Sequence, residues 1–199
     1  WVAISGLNSW RREHSGKRQM ELAEDALTLF YEARDAIGYI RVPISYSSET
    51  DDVEKADGET DEQWQARKNA SVVFKRYNAN QELFGKIRAM RYRFMAQFGP
   101  NTAKPFDDLQ SIVNQIMGSA RSLARLWARK QGTTEARQKQ QDSIEKNEAI
   151  FWEGAAEDDP ILPKLDTLIA DIERTCSGII KGNSSLATVL NRPLFGKKN

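Results

Sequence analysis

Cysteine and histidine, on which many metal sites and nucleophilic enzymes depend, are almost missing from this chain. There is one of each in 199 residues, Cys176 and His14. A single cysteine cannot form an internal disulfide, and the Glu-x-x-His pairs of di-iron helical bundles are absent. Cys176 falls on an apolar helical stripe, which indicates a packing residue, and His14 lies among basic residues, which is typical of an exposed side chain. We therefore expect no metal site.

Phosphate-binding loops are missing as well. The sequence contains neither Gly-x-Gly-x-x-Gly nor a Walker-type Gly-Lys-Ser/Thr, the two patterns that cradle phosphates on backbone N–H groups. Adjacent carboxylates occur at Asp107/Asp108 and Asp158/Asp159, where the first turn of a helix favours negative charge without any catalysis. We predict that the chain is not an enzyme and carries no cofactor; a catalytic site assembled from scattered residues is the alternative.

Long apolar runs and an excess of one charge are also lacking. No stretch approaches the roughly 20 apolar residues that span a bilayer, and 29 Lys+Arg against 28 Asp+Glu give a formal net charge of +1. This balance provides no whole-protein argument for a nucleic-acid or membrane partner. Any electrostatic argument therefore depends on local patches.

The first residues have the composition of a membrane boundary. Trp10 ends a short apolar stretch and is followed by a basic cluster: Arg11, Arg12, Lys17 and Arg18. Tryptophan favours the headgroup layer, and cytoplasmic flanks are rich in Lys and Arg. We expect residues 1–12 to be the end of a membrane-proximal segment whose spanning part lies upstream. The alternative is an amphipathic start whose Trp1 and Trp10 pack on the domain.

Helical periodicity is what the chain has in abundance. Apolar residues recur every three or four positions over four segments, 13–40, 61–98, 105–127 and 158–179, and no strand-like alternation of useful length occurs. Pro43, Gly99-Pro100 and the glycine at 182 are the predicted stops. The pattern predicts an all-α fold, an elongated antiparallel bundle of three to five long helices over residues 13–182. A C-terminal tail would follow at 183–199.

Two polar stretches interrupt these helices. Residues 45–62 are dominated by carboxylates and cannot order themselves by apolar burial, so we expect a mobile acidic loop there. Thr60 followed three residues later by Gln63 is a capping-box signature for the next helix. The run at 133–146 has no apolar face and is expected at the periphery.

The strongest local charge feature lies on the second predicted helix. Its basic residues are Lys75, Arg76, Lys86, Arg88, Arg91 and Arg93. Aromatic residues alternate with them, a combination that can neutralise a nucleic-acid backbone and stack on bases. We favour a solvated face that forms ion pairs with acidic residues of the first helix. Nucleic-acid binding and contact with anionic lipid headgroups are the alternatives.

Several ordered motifs carry a resemblance to known sequences. They are WRREHSGKR at 10–18, ELAE at 21–24, FYEARDAI at 30–37, MRYRF at 90–94 and AKPFDDL at 103–109. In this order the motifs resemble a group of uncharacterised bacterial single-pass membrane proteins with a helical soluble domain. The resemblance implies an upstream membrane span, a place in the bacterial inner membrane and a domain that faces the cytoplasm. It assigns no activity and no functional residue.

Together these observations favour a membrane-anchored, non-enzymatic interaction or regulatory module. Its partner would be another protein or a second copy, and the acidic loop and the apolar C-terminal tail are candidate contact surfaces. The first alternative is a nucleic-acid-binding domain that uses the basic face of the second helix. The second alternative is a ligand-sensing bundle that transmits a helix displacement across the membrane.

Overall fold

A computed structural model describes the backbone of residues 2–129 and 132–190, and the side chains of residues 13–129 and 132–182. This part of the chain contains six α-helices and no β-strand. The helices are α1 (Val2–Arg41), α2 (Asp61–Ala79), α3 (Gln81–Phe98), α4 (Lys104–Leu126), α5 (Thr134–Phe151) and α6 (Leu162–Leu190). Two short 3₁₀ turns, Ser47–Glu49 and Pro100–Ala103, lie between them. The predicted all-α bundle is confirmed, with six helices in these residues where three to five were expected.

The six helices pack around one shared core. Helix α1 runs antiparallel to α6, since Tyr31 donates to Glu173 at 2.6 Å and Arg34 to Asp166 at 3.1 Å. Helix α4 packs against α2, α5 and α6, while α3 packs against α1. Buried apolar residues recur at every third or fourth position along α1, α4 and α6, as the periodicity predicts.

Aromatic side chains from three helices meet at the centre of the core. Phe106 at the start of α4 lies 5.0 Å from the ring of Phe30 on α1 and 5.5 Å from that of Phe94 on α3. The rings meet edge to face or tilted, which are favoured arrangements for aromatic pairs. These contacts hold α1, α3 and α4 together and set the orientation of α3. The exposed side of α3 forms part of the candidate site described below.

The second predicted helix, 61–98, is in fact two helices. The chain turns at Asn80, whose backbone has φ −105° and ψ 13° and whose Nδ2 donates to the carbonyl of Arg76 at 2.9 Å. A short amide side chain that bonds its own backbone competes with the helical ladder. Because the apolar spacing continues in phase across Asn80, periodicity alone did not reveal this break.

Both terminal helices are longer than the periodic segments predict. Helix α1 begins at Val2, and α6 continues beyond the glycine at 182 to Leu190. The helix thus passes through the Gly-Asn-Ser-Ser run despite its low helix propensity, and apolar residues recur beyond it at 186, 189 and 190. The remainder of the predicted tail, 191–199, lies outside the described residues.

The acidic loop makes specific contacts with α2, contrary to the expectation of a mobile segment. Trp64 Nε1 donates to the carbonyl of Val53 at 2.8 Å. Arg67 bonds both carboxylate oxygens of Glu59, at 2.9 and 2.7 Å. Hydrogen bonds from Arg67 and from the N–H of Ala56 lower the pKa of Glu59 to about 2. Side chains of the following helix thus supply the order that apolar burial within the loop could not.

Candidate functional site: the exposed face of α3 and the segment after α1

Arg76, which the sequence places on the basic face, is buried, with only 3% of its surface exposed. Its guanidinium forms a two-pronged bond with Glu49, at 2.7 and 2.9 Å. The other N–H groups donate to the carbonyls of Tyr39, Val42 and Ile44, at 3.3, 2.7 and 2.7 Å. These carbonyls lie at or just beyond the last turn of α1, where helical partners run out and a cation is favourable. Arg76 therefore caps α1.

The carboxylate of Glu49 completes this arrangement. Hydrogen bonds from Arg76 lower the pKa of Glu49; burial opposes them, and the N–H of Tyr46, 3.0 Å from Oε2, adds to the lowering. The pair satisfies the general condition for a buried ion pair, in which further hydrogen bonds offset the loss of water. The path of the chain after α1 is thereby fixed.

A second buried arginine lies at the end of α1 itself. Arg41 has no exposed surface and donates to the carbonyls of Ala149, Ile150 and Trp152 at 3.0, 2.9 and 3.2 Å, and to Asp159 at 2.7 Å. It thus joins the end of α1 to the end of α5 and to the segment before α6. Among the described residues, its Nη1 has no hydrogen-bond partner.

Asp159 in turn caps α6. Its Oδ1 accepts the N–H groups of Ile161 and Leu162 at 2.8 and 3.0 Å. Burial raises the pKa of this carboxyl, but the bonds from Arg41 and from these two N–H groups outweigh burial, so the pKa is lowered. Asp159, the second residue of the adjacent carboxylates at 158 and 159, therefore has a structural role.

Three other members of the predicted basic set are paired with carboxylates. Lys75 pairs with Asp52, Lys86 with Glu82 at 2.8 Å, and Arg91 with Asp107 at 2.8 and 3.2 Å. These partners lie in the acidic loop, on α3 and on α4. The predicted ion pairs with the first helix are thus wrong for these three residues, whose partners lie on other elements. Asp25 of α1 does line the groove that Lys86 and Arg93 share.

The two remaining arginines, Arg88 and Arg93, are exposed on α3 and form no ion pair within the described part of the chain. Between them Tyr92 leaves 67% of its surface exposed. These three residues, with Lys86, are here called the α3 face. Unlike Arg76, all four side chains are exposed, although Lys86 pairs with Glu82.

Grooves lie on both sides of the α3 face. The larger, of about 530 Å³, has a floor formed by Phe84, Ile87, Leu109 and Val113, and Arg88 and Tyr92 also line it. The smaller, of about 380 Å³, lies between α3 and α1, and Arg93 lines it. Apolar floors beside unpaired cations suit a partner segment that carries both apolar and acidic side chains.

A second exposed surface follows the end of α1. Val42, Ile44 and Tyr46 point into solvent together with Tyr39, and the exposed fractions of Ile44 and Tyr46 are 69% and 72%. Sequence reasoning missed this surface, although an apolar residue at every second position after Arg41 was visible around Pro43. Isolated exposed apolar residues are ordinary, whereas a group of them marks a contact site.

The membrane-proximal candidates are only partly described. The side chains of Trp10, Arg11 and Arg12 lie outside the described residues. Lys17 and Arg18 are exposed on α1, and Lys17 approaches Glu21 at 3.9 Å. No helix in the described part of the chain combines the length and the apolar character needed to cross a bilayer.

The two rarest side chains, Cys176 and His14, lie in different environments in the described part of the chain. Cys176 is fully buried in the core, and burial raises the pKa of its thiol to about 11. Such a thiol stays protonated near neutral pH and is a poor nucleophile. His14 is exposed on α1. The described side chains, 13–129 and 132–182, include no group of three or more His, Cys, Asp or Glu placed to hold a metal ion.

Comparison with known proteins adds no assignment. The chain matches no protein-family model, no curated protein and no solved structure.

Proposed function

We propose that this chain is a membrane-tethered, non-enzymatic helical module that binds an acidic partner segment on the α3 face. The observation that carries the proposal is the pair of exposed arginines, Arg88 and Arg93, which have no carboxylate partner in the described residues. They flank Tyr92 and lie beside grooves with apolar floors. Arginine and tyrosine are enriched among residues that dominate binding energy.

The tether is supported by the start of α1. Trp10 and the basic residues after it have the composition of a cytoplasmic membrane flank. The helix that carries them continues without a break to Arg41, where buried side chains fix its end. We propose that an apolar segment preceding Trp10 lies in the bacterial inner membrane and that the bundle faces the cytoplasm.

The pairing of the basic residues disfavours nucleic acid as the partner. Four of the six predicted residues are bonded to carboxylates: Lys75, Arg76, Lys86 and Arg91. Arg76 is buried and cannot reach a phosphate, and the other three pairs must break before their cations can neutralise one, so nucleic-acid affinity and its salt dependence both fall. An acidic protein segment, which needs fewer cations and also fills the apolar grooves, fits the face better.

The test is isolation of the protein with its partners from washed membranes of the native host. We expect the protein to sediment with the membranes after a high-salt wash. A defined partner should co-purify with the wild type and be absent from the variant Arg88→Glu/Arg93→Glu. The matched control Arg137→Glu/Lys146→Glu makes the same change of charge on the exposed side of α5 and should retain the partner.

Three results would contradict the proposal. They are recovery of the protein in the supernatant, equal retention of partners by both variants, and a co-purifying component that nuclease digestion removes. The last of these would favour the nucleic-acid alternative.

A further inference from the structure

We infer that the acidic partner of the α3 face is a second copy of this chain, which binds through the surface that follows α1. This inference rests on the proposed function and names the occupant of the same site. The surface, here called the acidic end, consists of Tyr39, Val42, Ile44 and Tyr46 with the neighbouring carboxylate of Asp51. It supplies the carboxylate that the α3 face lacks and apolar side chains that suit the grooves beside that face.

The first support is the concentration of exposed apolar side chains. Among the described residues, the large apolar side chains that are exposed are Tyr31, Tyr39, Val42, Ile44, Tyr46, Tyr92 and Leu162. Four of these seven belong to the acidic end and one, Tyr92, belongs to the α3 face. Two apolar surfaces of one chain are therefore left uncovered, and each can cover the other in a neighbouring copy.

The second support is the fixed backbone of the acidic end. Arg76 holds the carbonyls of Tyr39, Val42 and Ile44, so the peptide groups turn inward and the side chains outward. The segment is already ordered in the folded chain, so it loses little further conformational entropy when it binds. A segment held in this way binds more tightly than a flexible one.

The third support is complementary charge. Residues 45–62 carry eight carboxylates and one lysine. Arg76 pairs with Glu49, Lys75 with Asp52 and Arg67 with Glu59, whereas Asp51, beside Tyr39, forms no ion pair among the described residues. Two unpaired arginines on the α3 face and a free carboxylate on the acidic end are thus opposite in sign and complementary, although the whole chain has a formal net charge of only +1.

Within one copy no hydrogen bond or ion pair among the described residues joins the two surfaces. The acidic end is held by α2, and within the α3 face Lys86 pairs with Glu82 of the same helix. Contact between them therefore requires two chains. Because the two surfaces differ, the contact is head to face, and it closes only as a reciprocal dimer or a ring. Tethering in one membrane would raise the effective concentration of the copies.

The experiment is sedimentation velocity of the full chain, purified in mild detergent, over a range of protein and salt concentrations. We expect concentration-dependent self-association that weakens as salt screens the exposed charges. Arg88→Glu/Arg93→Glu, which removes the basic surface, and Ile44→Ser/Asp51→Lys, which removes the acidic end, should each weaken it about tenfold or more. The control Arg137→Glu/Lys146→Glu should behave as the wild type.

Mixing the two defective variants gives the decisive result. Each variant lacks a different half of the contact, so an equimolar mixture retains one intact pair of surfaces and should form a heterodimer that neither variant forms alone. A wild type that stays monomeric at all concentrations overturns the inference. Association that survives both pairs of substitutions, or a mixture that stays monomeric, does so as well.

Self-association can be disproved without disproving the proposed function. If the wild type is monomeric while a different acidic protein still co-purifies through Arg88 and Arg93, the second copy is excluded and the binding role of the α3 face stands. If neither occurs, both fail.

Discussion

At the scale of single residues, the organising feature is the burial of two arginines at helix ends. Arg41 and Arg76 each direct a planar fork of donors at three carbonyls and one carboxylate. Lysine cannot reproduce this geometry, because its ammonium is a point charge without a fixed fork. Both residues therefore act as structural links between helices and are not exposed charges.

The prediction that Arg76 is exposed was wrong for a physical reason. Charged residues are almost never fully buried unless they are paired, so a basic residue in a basic run was assigned to the solvent. The signal that favours burial was present, since Arg76 follows Val72 and Val73 at helical spacing on the buried face of α2. What could not be inferred was that the end of α1 would bring three carbonyls to the same place.

The first prediction concerns pH and the Glu49–Arg76 pair. Because the pKa of Glu49 is lowered on folding, ionised Glu49 stabilises the protein fully above the unfolded value of about 4.3. This stabilisation is lost as pH falls through the lower folded value. In thermal unfolding followed by circular dichroism, Glu49→Gln should lower the melting temperature at pH 7, and the difference from wild type should shrink below about pH 4. A difference that stays constant with pH would contradict the assignment.

At the scale of helices, a local signal located the start of α2, whereas the break between α2 and α3 had no local signal. The capping box at the start of α2 is confirmed, because Thr60 accepts the N–H of Gln63 at 3.2 Å and Gln63 accepts the N–H of Thr60 at 3.0 Å. This signal is local and contained in four residues. The break at Asn80 depends on how α2 and α3 pack on different neighbours, and that information is not local.

The second prediction concerns the cap that α2 provides for α1. Arg76→Lys keeps the charge but removes the fork, so the carbonyls after α1 and one oxygen of Glu49 are left without donors. We expect the free energy of unfolding to fall by about 2 kcal/mol, in the range for hydrogen bonds to charged groups. Urea unfolding followed by circular dichroism measures it. The same substitution at exposed Arg88 is the control and should change stability by less than about 0.5 kcal/mol; equal effects at both positions would contradict the cap.

At the scale of the whole molecule, the fold class followed from sequence and the binding surfaces did not. Buried stripes recur every three or four residues, so an all-α bundle could be predicted from periodicity alone. The α3 face was visible as a basic run, but its true members are defined by which cations find carboxylates on other helices. The acidic end could not be predicted from the sequence. The exposure of Ile44 and Tyr46 follows from the packing of the other helices, which leaves both side chains uncovered.

The central claim, that the α3 face binds a partner at the membrane, is tested most directly by photo-crosslinking in native membranes. A photoreactive phenylalanine analogue replaces Tyr92 in one protein and Lys139, exposed on α5, in a control. We predict a discrete protein adduct from position 92, little from position 139, and disappearance of the adduct when Arg88→Glu/Arg93→Glu is added. No adduct at position 92, or equal adducts from both positions, would contradict the claim.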